Sequence, residues 1–471
     1  MSSIRQSDGT SAVVAGSARS LSAVVDGPVL MPGDDAYPQE CAGYNLAVSR
    51  RPAVAVGATG PGDVRAAVRF GAERGLPVGV LATGHGASVP DDGGVLVTTR
   101  RMDAVAVDPV ARTARVAAGA RWQQVLEAAA PHGLAPLSGS SPLVGVVGYT
   151  LGGGLSPTLG RSRGWAADHV RALEIVTADG ELTRATAERE ADLFWAARGG
   201  KDNFGLVTAL EFDLFEQPEL YGGALYFPGE LTSDVLMAYQ EWAPTLPEEM
   251  TASVALIRLP PLDLVPPPLR GVLAVHVRVA YLGPAAEAER LLAPIRALGP
   301  TLIDTVRELP FEQAGTIHND PPVSVPVVEG SRRLTEFPAA AAAAMVAAAG
   351  PRSDCPLTVV ELRQLGGALA RPPEVASAVS GREAAFQVFC GAIAGPDDAS
   401  AMLLGIEEVF NGLRAWESRP GTLNYLGSLD NATETIRETF GKPAFDRLSQ
   451  VKRAVDPGNL FRLNYNIPPA A

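Results

Sequence analysis

Three runs of small residues hold the chemical groups of most interest in this chain. The first run, 77–88, is an apolar stretch that ends among glycines and contains a single histidine, His85. The second run, 138–154, holds six glycines in 17 residues, and the third is 199–205. Small residues let a backbone approach a ligand closely and leave N–H groups free for phosphate oxygens. His85 could be structural, catalytic or a point of covalent attachment, and its residue type does not decide between these roles.

The second glycine run also has an apolar side, which includes Val144, Val147 and Leu151. Each glycine costs about 1 kcal/mol in a helix interior, so six of them argue against an ordinary helix. A flexible solvated loop is the simpler alternative. A segment packed against a flat cofactor explains both the glycines and the apolar side chains better, and we predict that arrangement.

Other nucleotide-binding and catalytic motifs are missing from the sequence. It has no Walker loop, no Gly-x-Gly-x-x-Gly between a first strand and helix, and no Gly-x-Ser-x-Gly. The three cysteines, Cys41, Cys355 and Cys390, fit no zinc spacing, and the five histidines show no HxxxH pattern. We therefore expect no metal site and treat the cysteines as core thiols.

Composition indicates a globular protein of more than one domain. The chain has 471 residues, of which 46% are hydrophobic and 19% charged, with a net charge of −13. The acidic residues are scattered, which argues against a nucleic-acid partner. The N-terminus lacks an apolar signal core and Leu21–Met31 is too short to span a bilayer, so we expect a cytoplasmic protein without a membrane partner.

The elements around the first glycine run follow a strand–helix–strand order. A buried strand is predicted in 51–56, a helix from Asp63 to Gly75, and a strand over Val78–Leu81 that leads into the His85 loop. Further short strands are predicted over 95–98, 104–107 and 113–117, before a helix over 122–130.

The second half favours a different architecture. In 272–281, apolar residues alternate with His276 and Arg278, which is typical of a strand with one wet face. Helices are predicted over 285–298 and 338–350, strands over 357–363 and 385–391, and a surface loop over 260–268. An antiparallel sheet covered by helices is the economical solution, and the fold class is α+β.

Five sequence pieces, spread over most of the chain, together carry a family resemblance. They are the strand and Ala-Thr-Gly-His85 loop, Val144–Gly154, Asp192–Gly200, Asn203–Thr208 and Asn464–Pro469. With them the chain resembles the berberine-bridge-enzyme-like FAD-linked oxidases, in the vanillyl-alcohol-oxidase and p-cresol-methylhydroxylase (PCMH) superfamily, and specifically their bacterial branch.

The resemblance implies a fold and a domain order. A PCMH-type FAD-binding domain of two α/β subdomains is expected over 41–218, after a tail and leading helix in 1–40. A substrate-binding domain with an antiparallel sheet covered by helices is expected over 219–425. The C-terminal segment, 426–471, is expected to return to the FAD domain.

The resemblance also implies how FAD is held. The histidine that matches His85 is joined through a ring nitrogen to the flavin 8α-methyl in the family, and the alternative is a histidine that only hydrogen-bonds the cofactor. Ser141 stands where many relatives have a cysteine that forms a second link. Because a hydroxyl cannot form that thioether, we predict a single covalent bond.

Further FAD contacts are implied at matching positions: Ala82, Thr83, Gly84, Gly86, Ser88, Ser141, Val144, Gly145, Gly148, Tyr149, Gly153, Gly205, Val207, Asn464 and Asn466. Val144 stands at the family position that controls access of oxygen to the flavin, and it is small there, as in the oxygen-reactive members of the family. The Tyr149 hydroxyl is expected near the flavin N1–C2=O edge, where a donor stabilises negative charge, unless the ring serves only in packing. Lys201 and Asp202 depart from the family, replacing two of the usual glycines before Asn203.

On the substrate side, Glu361 and Arg363 share one face of their strand, and the family places this strand against the flavin. Glu361 is a candidate general base, with a Glu–Arg pair or a solvated face as the alternative. Tyr465 could accept a substrate proton, orient the substrate, or simply pack in the tail.

The resemblance thus predicts an FAD-dependent oxidoreductase. An oxidase would pass a hydride from a secondary-metabolite or sugar-like substrate to flavin N5 and the electrons to O2, giving H2O2. The rival functions are a flavin-dependent oxygenating or cyclising enzyme of natural-product biosynthesis, and a non-catalytic flavin-binding protein.

Overall fold

The computed structural model describes residues 18–86, 89–90, 92–395, 397–427 and 430–471. Within these ranges no helix combines the length and the apolar character needed to cross a membrane. Four sheets and twelve α-helices with defined bounds organise this part of the chain.

The first sheet carries the His85 loop at the end of one of its strands. Its strands are β1 (Val29–Leu30), β2 (Val54–Gly57), β3 (Val78–Leu81) and β4 (Val95–Thr98), in the order β1-β2-β4-β3. β4 runs parallel to both β2 and β3, whereas β1 is antiparallel to β2. Helix α1 spans Tyr37–Cys41 and α2 spans Pro61–Arg74. The predicted strand–helix–strand order before His85 is confirmed.

The second sheet is antiparallel and stands beside the first. Its strands are β5 (Val105–Asp108), β6 (Thr113–Ala117), β8 (Val170–Val176), β9 (Leu182–Ala185) and β10 (Leu206–Asp213), in the order β5-β6-β10-β8-β9. A separate pair joins β7 (Leu134–Ala135) to β11 (Phe215–Glu216). The helices of this part are α3 (Trp122–Ala129), α4 (Val146–Leu151), α5 (Gly160–Arg163) and α6 (Ala191–Gly200).

Helix α4 corrects the expectation that the second glycine run excludes a helix. Of the six glycines in this run, only Gly148 lies inside α4, while Gly145 and Gly152 occupy its two caps. The helix therefore carries the cost of one glycine rather than six. A Cβ added to Gly148 would meet no atom within 4 Å, so this position faces open space.

The third large sheet has nine strands. They are β12 (Glu219–Pro228), β13 (Met250–Arg258), β14 (Leu273–Tyr281), β15 (Ile303–Asp304), β16 (Arg307–Pro310), β17 (Val327–Leu334), β18 (Val359–Gln364), β19 (Phe386–Ile393) and β20 (Glu417–Pro420). The order is β15-β12-β14-β13-β18-β19-β17-β20, with β16 also on β12. All of the pairs are antiparallel, as predicted for this half.

Four helices cover one face of this sheet. They are α7 (Thr232–Trp242), α8 (Ala285–Arg296), α9 (Ala339–Ala349) and α10 (Ala399–Leu413), and their buried residues form one core with Val275, Val277 and Val279 of β14. The predicted alternation of apolar and polar residues in β14 is confirmed, but the polar face of this strand is not exposed at the outer surface of the protein. His276 and Arg278 are buried on the opposite side of β14, where they line a cavity.

The C-terminal helices pack against the first half of the chain. Helices α11 (Thr433–Phe440) and α12 (Lys442–Val455) precede an extended segment that ends at Ala471. Phe445 and Leu448 of α12 share a core with Trp195 and Phe204. The bounds proposed for the four parts of the chain stay a prediction.

Candidate cofactor and substrate site

A cavity of about 750 Å³ lies between the first half of the chain and the nine-stranded sheet. All three glycine runs contribute to its lining, together with the cavity faces of β14, β17, β18 and β19 and the segment 463–465. Its volume suits a bound small molecule or cofactor.

His85 is held from two sides at the edge of this cavity. Its ring stacks on Tyr44, with 3.9 Å between ring centroids and 12° between planes. Its Nδ1 lies 3.0 Å from Thr83 Oγ1, which also accepts a hydrogen bond of 3.2 Å from the Gly145 N–H. The Nε2 atom is buried without a hydrogen-bond partner among the described residues.

The charge state of His85 follows from this position. Burial lowers the pKa of His85 to about 4, and the positive charge of Arg121 contributes in the same direction. The imidazole is therefore neutral near pH 7, with a lone pair available for bond formation.

Most of the predicted cofactor residues meet in this cavity. The predicted residues in its lining are Ala82, Thr83, Gly84, His85, Gly86, Ser141, Val144, Gly145, Gly148, Tyr149, Gly205, Val207 and Asn464. They come from segments far apart in sequence, and the fold brings them around one space. Ser141 is buried and its Oγ accepts a 3.3 Å hydrogen bond from Leu143 N–H. Cys41, Cys355 and Cys390 are free thiols outside the cavity lining.

Two of the predicted contacts that the structure describes are not in the lining. Gly153 has φ +110° and lies against the Trp165 ring, so its glycine is explained by backbone conformation and packing. Asn466 has a buried Oδ1 without a partner in the described ranges, but Asn466 is not among the residues that line the cavity. Ser88 is outside the described residues.

Tyr149 is held by contacts of its ring and its backbone, and its hydroxyl takes no part in holding it. The ring meets Trp122 edge-on at 5.4 Å between centroids, and its carbonyl accepts a 2.7 Å hydrogen bond from Asn424 Nδ2. The hydroxyl is buried without a partner among the described residues, and burial raises its pKa well above the usual value. It is thus a protonated hydroxyl that is free to donate to a bound group.

Glu361 is the counter-ion of two arginines. Its Oε1 lies 2.6 Å from Arg278 Nη1 and its Oε2 lies 2.8 Å from Arg363 Nη2. These two cations outweigh burial and hold the pKa of Glu361 well below its usual value. A carboxylate stabilised in this way is a weak proton acceptor, so the environment does not support the general-base role. The Glu–Arg pair, the alternative interpretation, matches the geometry.

The hydroxyl of Tyr465 is engaged in a hydrogen bond to the backbone. The residue lines the cavity, but its O–H donates to the carbonyl of Leu426. Its own carbonyl accepts a 3.1 Å hydrogen bond from Asn203 Nδ2. These bonds favour a bracing role for Tyr465 over proton transfer.

Several further residues line the cavity that were not predicted as site residues from the sequence. His276, Arg278 and His318 form a buried polar group with Glu361, and Glu329 and Lys201 also line the cavity. The alternation in β14 indicated His276 and Arg278, and Lys201 was noted only as a departure from the family pattern. No local pattern marked His318 or Glu329. Burial lowers the pKa values of His276 and His318, so both rings are neutral near pH 7.

One end of the cavity is apolar. Pro266, from the stretch 260–268 that was expected to be a surface loop, lines this end together with Leu259 and Leu269, which flank that stretch. Ile257 and Ile303 complete this wall. The site thus joins a charged region beside Glu361 to an aliphatic wall.

These residues fit an FAD cofactor. The buried and unpartnered atoms His85 Nε2, Tyr149 Oη and Asn464 Oδ1 all belong to residues that line the cavity. Buried polar atoms without partners are rare unless a ligand or water completes them. Gly148 lines the cavity, and a Cβ added to it would meet no atom within 4 Å, so there is open space beside it for a bound ring system.

Comparisons with known proteins agree with this geometry. The chain matches the family model described as FAD binding domain over residues 52–186, and the model described as Berberine and berberine like over residues 430–468. A curated relative is (R)-6-hydroxynicotine oxidase from Paenarthrobacter nicotinovorans. It is 27% identical, over 94% of this chain and 97% of the relative.

Two solved structures show the same fold. One is 6-hydroxy-D-nicotine oxidase from Arthrobacter nicotinovorans, with a TM-score of 0.82 and 24% identity over 95% of this chain and 98% of that chain. The other is xylooligosaccharide oxidase from Myceliophthora thermophila C1, in complex with xylobiose. It has a TM-score of 0.81 and 22% identity over 97% of this chain and 99% of that chain.

These comparisons confirm the PCMH-type α+β fold and FAD as the cofactor. Assignment to a bacterial branch stays a prediction. Both family models are matched in the expected order, and a relative is aligned over nearly its whole length. The chain is therefore an FAD-linked oxidoreductase with an FAD binding domain and a berberine-like C-terminal segment.

Proposed function

We propose that this enzyme is an oxidase whose FAD is attached by one covalent bond, through the imidazole of His85. The observation that carries this proposal is the neutral, half-buried ring of His85, which is held by Tyr44 and Thr83 at the cavity edge. Ser141 lines the same cavity with a hydroxyl, which supports one tether and no cysteinyl link.

Bound FAD supplies a two-electron acceptor for the substrate carbon. The chain itself supplies orientation: Thr83 and Tyr44 fix the ring plane of His85, and Gly148 leaves room beside α4. The Tyr149 hydroxyl and the Asn464 amide can hydrogen-bond to the cofactor. We assign O2 as the final electron acceptor, since Val144 is small and lines the cavity.

The substrate is proposed to be a small secondary metabolite or sugar-like molecule. Two relatives provide probes, because one is named for 6-hydroxynicotine and the other holds xylobiose. The aliphatic wall of Ile257, Leu259 and Leu269 favours a substrate with an apolar part over a simple sugar. We also propose that the protein is cytoplasmic.

Attachment of FAD can be tested on the purified protein. After acid precipitation the yellow colour should remain in the pellet, and peptide mass spectrometry should find flavin on the peptide that contains His85 alone. His85→Ala should release the flavin, while His132→Gln, a change at an exposed histidine, should not. Flavin in the supernatant of the native protein, or on two peptides, would contradict the single tether.

The reaction can be tested with (R)-6-hydroxynicotine, xylobiose and a wider panel of alcohols and phenols. An oxidase should bleach the flavin band anaerobically and then release one H2O2 per substrate in air. Label from heavy-oxygen gas in the product would instead support the oxygenating enzyme. Tightly bound FAD that no panel compound bleaches would support the non-catalytic alternative.

A further inference from the structure

A carboxyl group with no role in the proposed mechanism faces the cavity from β17. Glu329 lies on the same face of this strand as Val327, and both residues line the cavity. The residue paired with Glu329 on β19 is Gly391, which has no side chain to cover the carboxyl group. The carboxyl group is therefore open to a molecule bound in the cavity.

Glu329 differs from Glu361 in its partners. Both oxygens of Glu361 are paired with arginines, at 2.6 and 2.8 Å. The carboxyl group of Glu329 forms no hydrogen bond and no ion pair within the described ranges. A carboxylate that already has two cationic partners is a poor acceptor, whereas an unpaired one keeps its lone pairs for a ligand.

The surroundings of Glu329 set its affinity for a proton. Burial raises the pKa of Glu329 to about 7, against the opposing positive charges of Arg363 on β18 and Lys201 after α6. The third titratable group that faces it is Tyr44, whose own pKa is raised to about 12 by burial and by nearby carboxylates. A general base is most effective when its pKa lies near the operating pH.

Lys201 approaches from the opposite wall. It stands where the family has glycine and keeps a backbone φ of +55°, a conformation that is uncommon for residues other than glycine. Burial lowers the pKa of its amine, and the amine lines the same cavity as Glu329. Its positive charge lowers the pKa of the Glu329 carboxyl group, and it acts from a position outside the sheet.

We propose that Glu329 is the proton acceptor for the substrate, which we take to be an alcohol or amine. This inference rests on the proposed function. In a substrate H–C–X–H, where X is oxygen or nitrogen, the X–H bond breaks and an O–H bond forms on Glu329. The carbon loses its hydrogen with the electron pair to FAD, the product contains C=X, and O2 takes up the two electrons and two protons as H2O2.

The kinetic test compares Glu329→Gln, Glu329→Asp and the exposed control Glu374→Gln, with the panel compound that wild type oxidises fastest. In wild type, kcat/KM should rise with pH through about 7, as the carboxyl group ionises. Glu329→Gln should lower kcat about 10²- to 10⁴-fold and abolish this rise. Glu329→Asp should retain the rise, and Glu374→Gln should match wild type throughout.

A second readout needs no substrate. The folded-state pKa of Glu329 lies above its unfolded value, so its contribution to stability is present below about pH 4.5 and is lost as pH rises through about 7. As the pH rises from 5 to 8, the Tm of the Glu329→Gln holoenzyme should therefore increase relative to the Tm of wild type. The Tm of Glu374→Gln relative to wild type should not change over this range.

The outcomes separate this inference from the proposed function. If wild type releases peroxide and Glu329→Gln keeps the wild-type kcat and pH profile, the role of Glu329 is wrong and the oxidase stands. A Tm difference that does not change with pH overturns the inference even if no panel compound is oxidised. Wild type that oxidises nothing, with the expected Tm trend, contradicts the proposed function and leaves the protonation of Glu329 supported.

Discussion

The side chain of Asn203 joins the third glycine run to the C-terminal segment through the backbone of Tyr465. Its Nδ2 donates to the Tyr465 carbonyl at 3.1 Å and to the Gly200 carbonyl at 3.0 Å, while its Oδ1 accepts from the Ile467 N–H at 2.8 Å. The backbone carbonyl of Asn203 accepts a further bond of 2.6 Å from Lys452 Nζ. One asparagine thus holds the segment that brings Asn464 and Tyr465 to the cavity.

Replacement of Asn203 by alanine should loosen this segment. It removes three buried hydrogen bonds and leaves their backbone partners unsatisfied, which should lower the free energy of unfolding by about 2–4 kcal/mol. Denaturant unfolding and hydrogen exchange over 457–471 provide the measurements. Asn411→Ala, at an exposed position of α10, is the matched control. Unchanged exchange over this segment would contradict the role of Asn203.

Tyr44 should control attachment of the flavin. Because its ring stacks on His85, Tyr44→Ala should free the imidazole to rotate and slow formation of the covalent bond. The fraction of protein that carries flavin after denaturing electrophoresis measures this effect. Tyr44→Phe keeps the stacked ring and loses only the 3.0 Å hydrogen bond to the Pro321 carbonyl, so it should behave like wild type. Equal flavin content in Tyr44→Ala would show that the stack is dispensable.

The sequence predicted the parts of the site that depend on local pattern. Small residues and one histidine marked the His85 loop, and period-two alternation placed His276 and Arg278 opposite the core of β14. The same alternation put Glu361 and Arg363 on the cavity side of β18.

What could not be predicted depends on contacts between distant segments. The pairing of Glu361 with Arg278 follows from the order of β14, β13 and β18 in the sheet, which no local pattern encodes. Tyr44 meets His85 because the backbone N–H groups of Tyr44 and Asn45 donate to the carbonyls of Thr83 and Gly84, which lie far along the chain. The helix at Val146–Leu151 was missed because glycines were counted over the whole run rather than by position.

The arginine pair should make Glu361 important for folding. Glu361→Gln leaves Arg278 and Arg363 buried without a counter-ion and should lower the free energy of unfolding by about 3–5 kcal/mol. Denaturant unfolding at pH 7 measures the loss. Glu329→Gln is the matched control, since its carboxyl group has no ionic partner in the described ranges, and it should cause no comparable loss. A Glu361→Gln protein as stable as wild type would argue against the ion-pair interpretation.

The buried histidines should make the protein sensitive to mild acid. Burial, with the positive charge of Arg278, holds the pKa of His318 below its usual value of 6.5. The unfolded chain therefore binds this proton at a higher pH than the folded chain, and stability that is present above pH 6.5 is lost as the pH falls.

Replacement of His318 by glutamine isolates this contribution. The free energy of unfolding should fall less steeply between pH 7 and 5 in His318→Gln than in wild type, because the uncharged amide has no proton to gain. Glu329 acts in the opposite direction over this range, but it is present in both proteins and cancels in the difference. His132→Gln, at an exposed histidine, should follow the wild-type slope. Parallel slopes for wild type and His318→Gln would mean that the His318 ring accepts a proton in the folded protein as readily as in the unfolded chain.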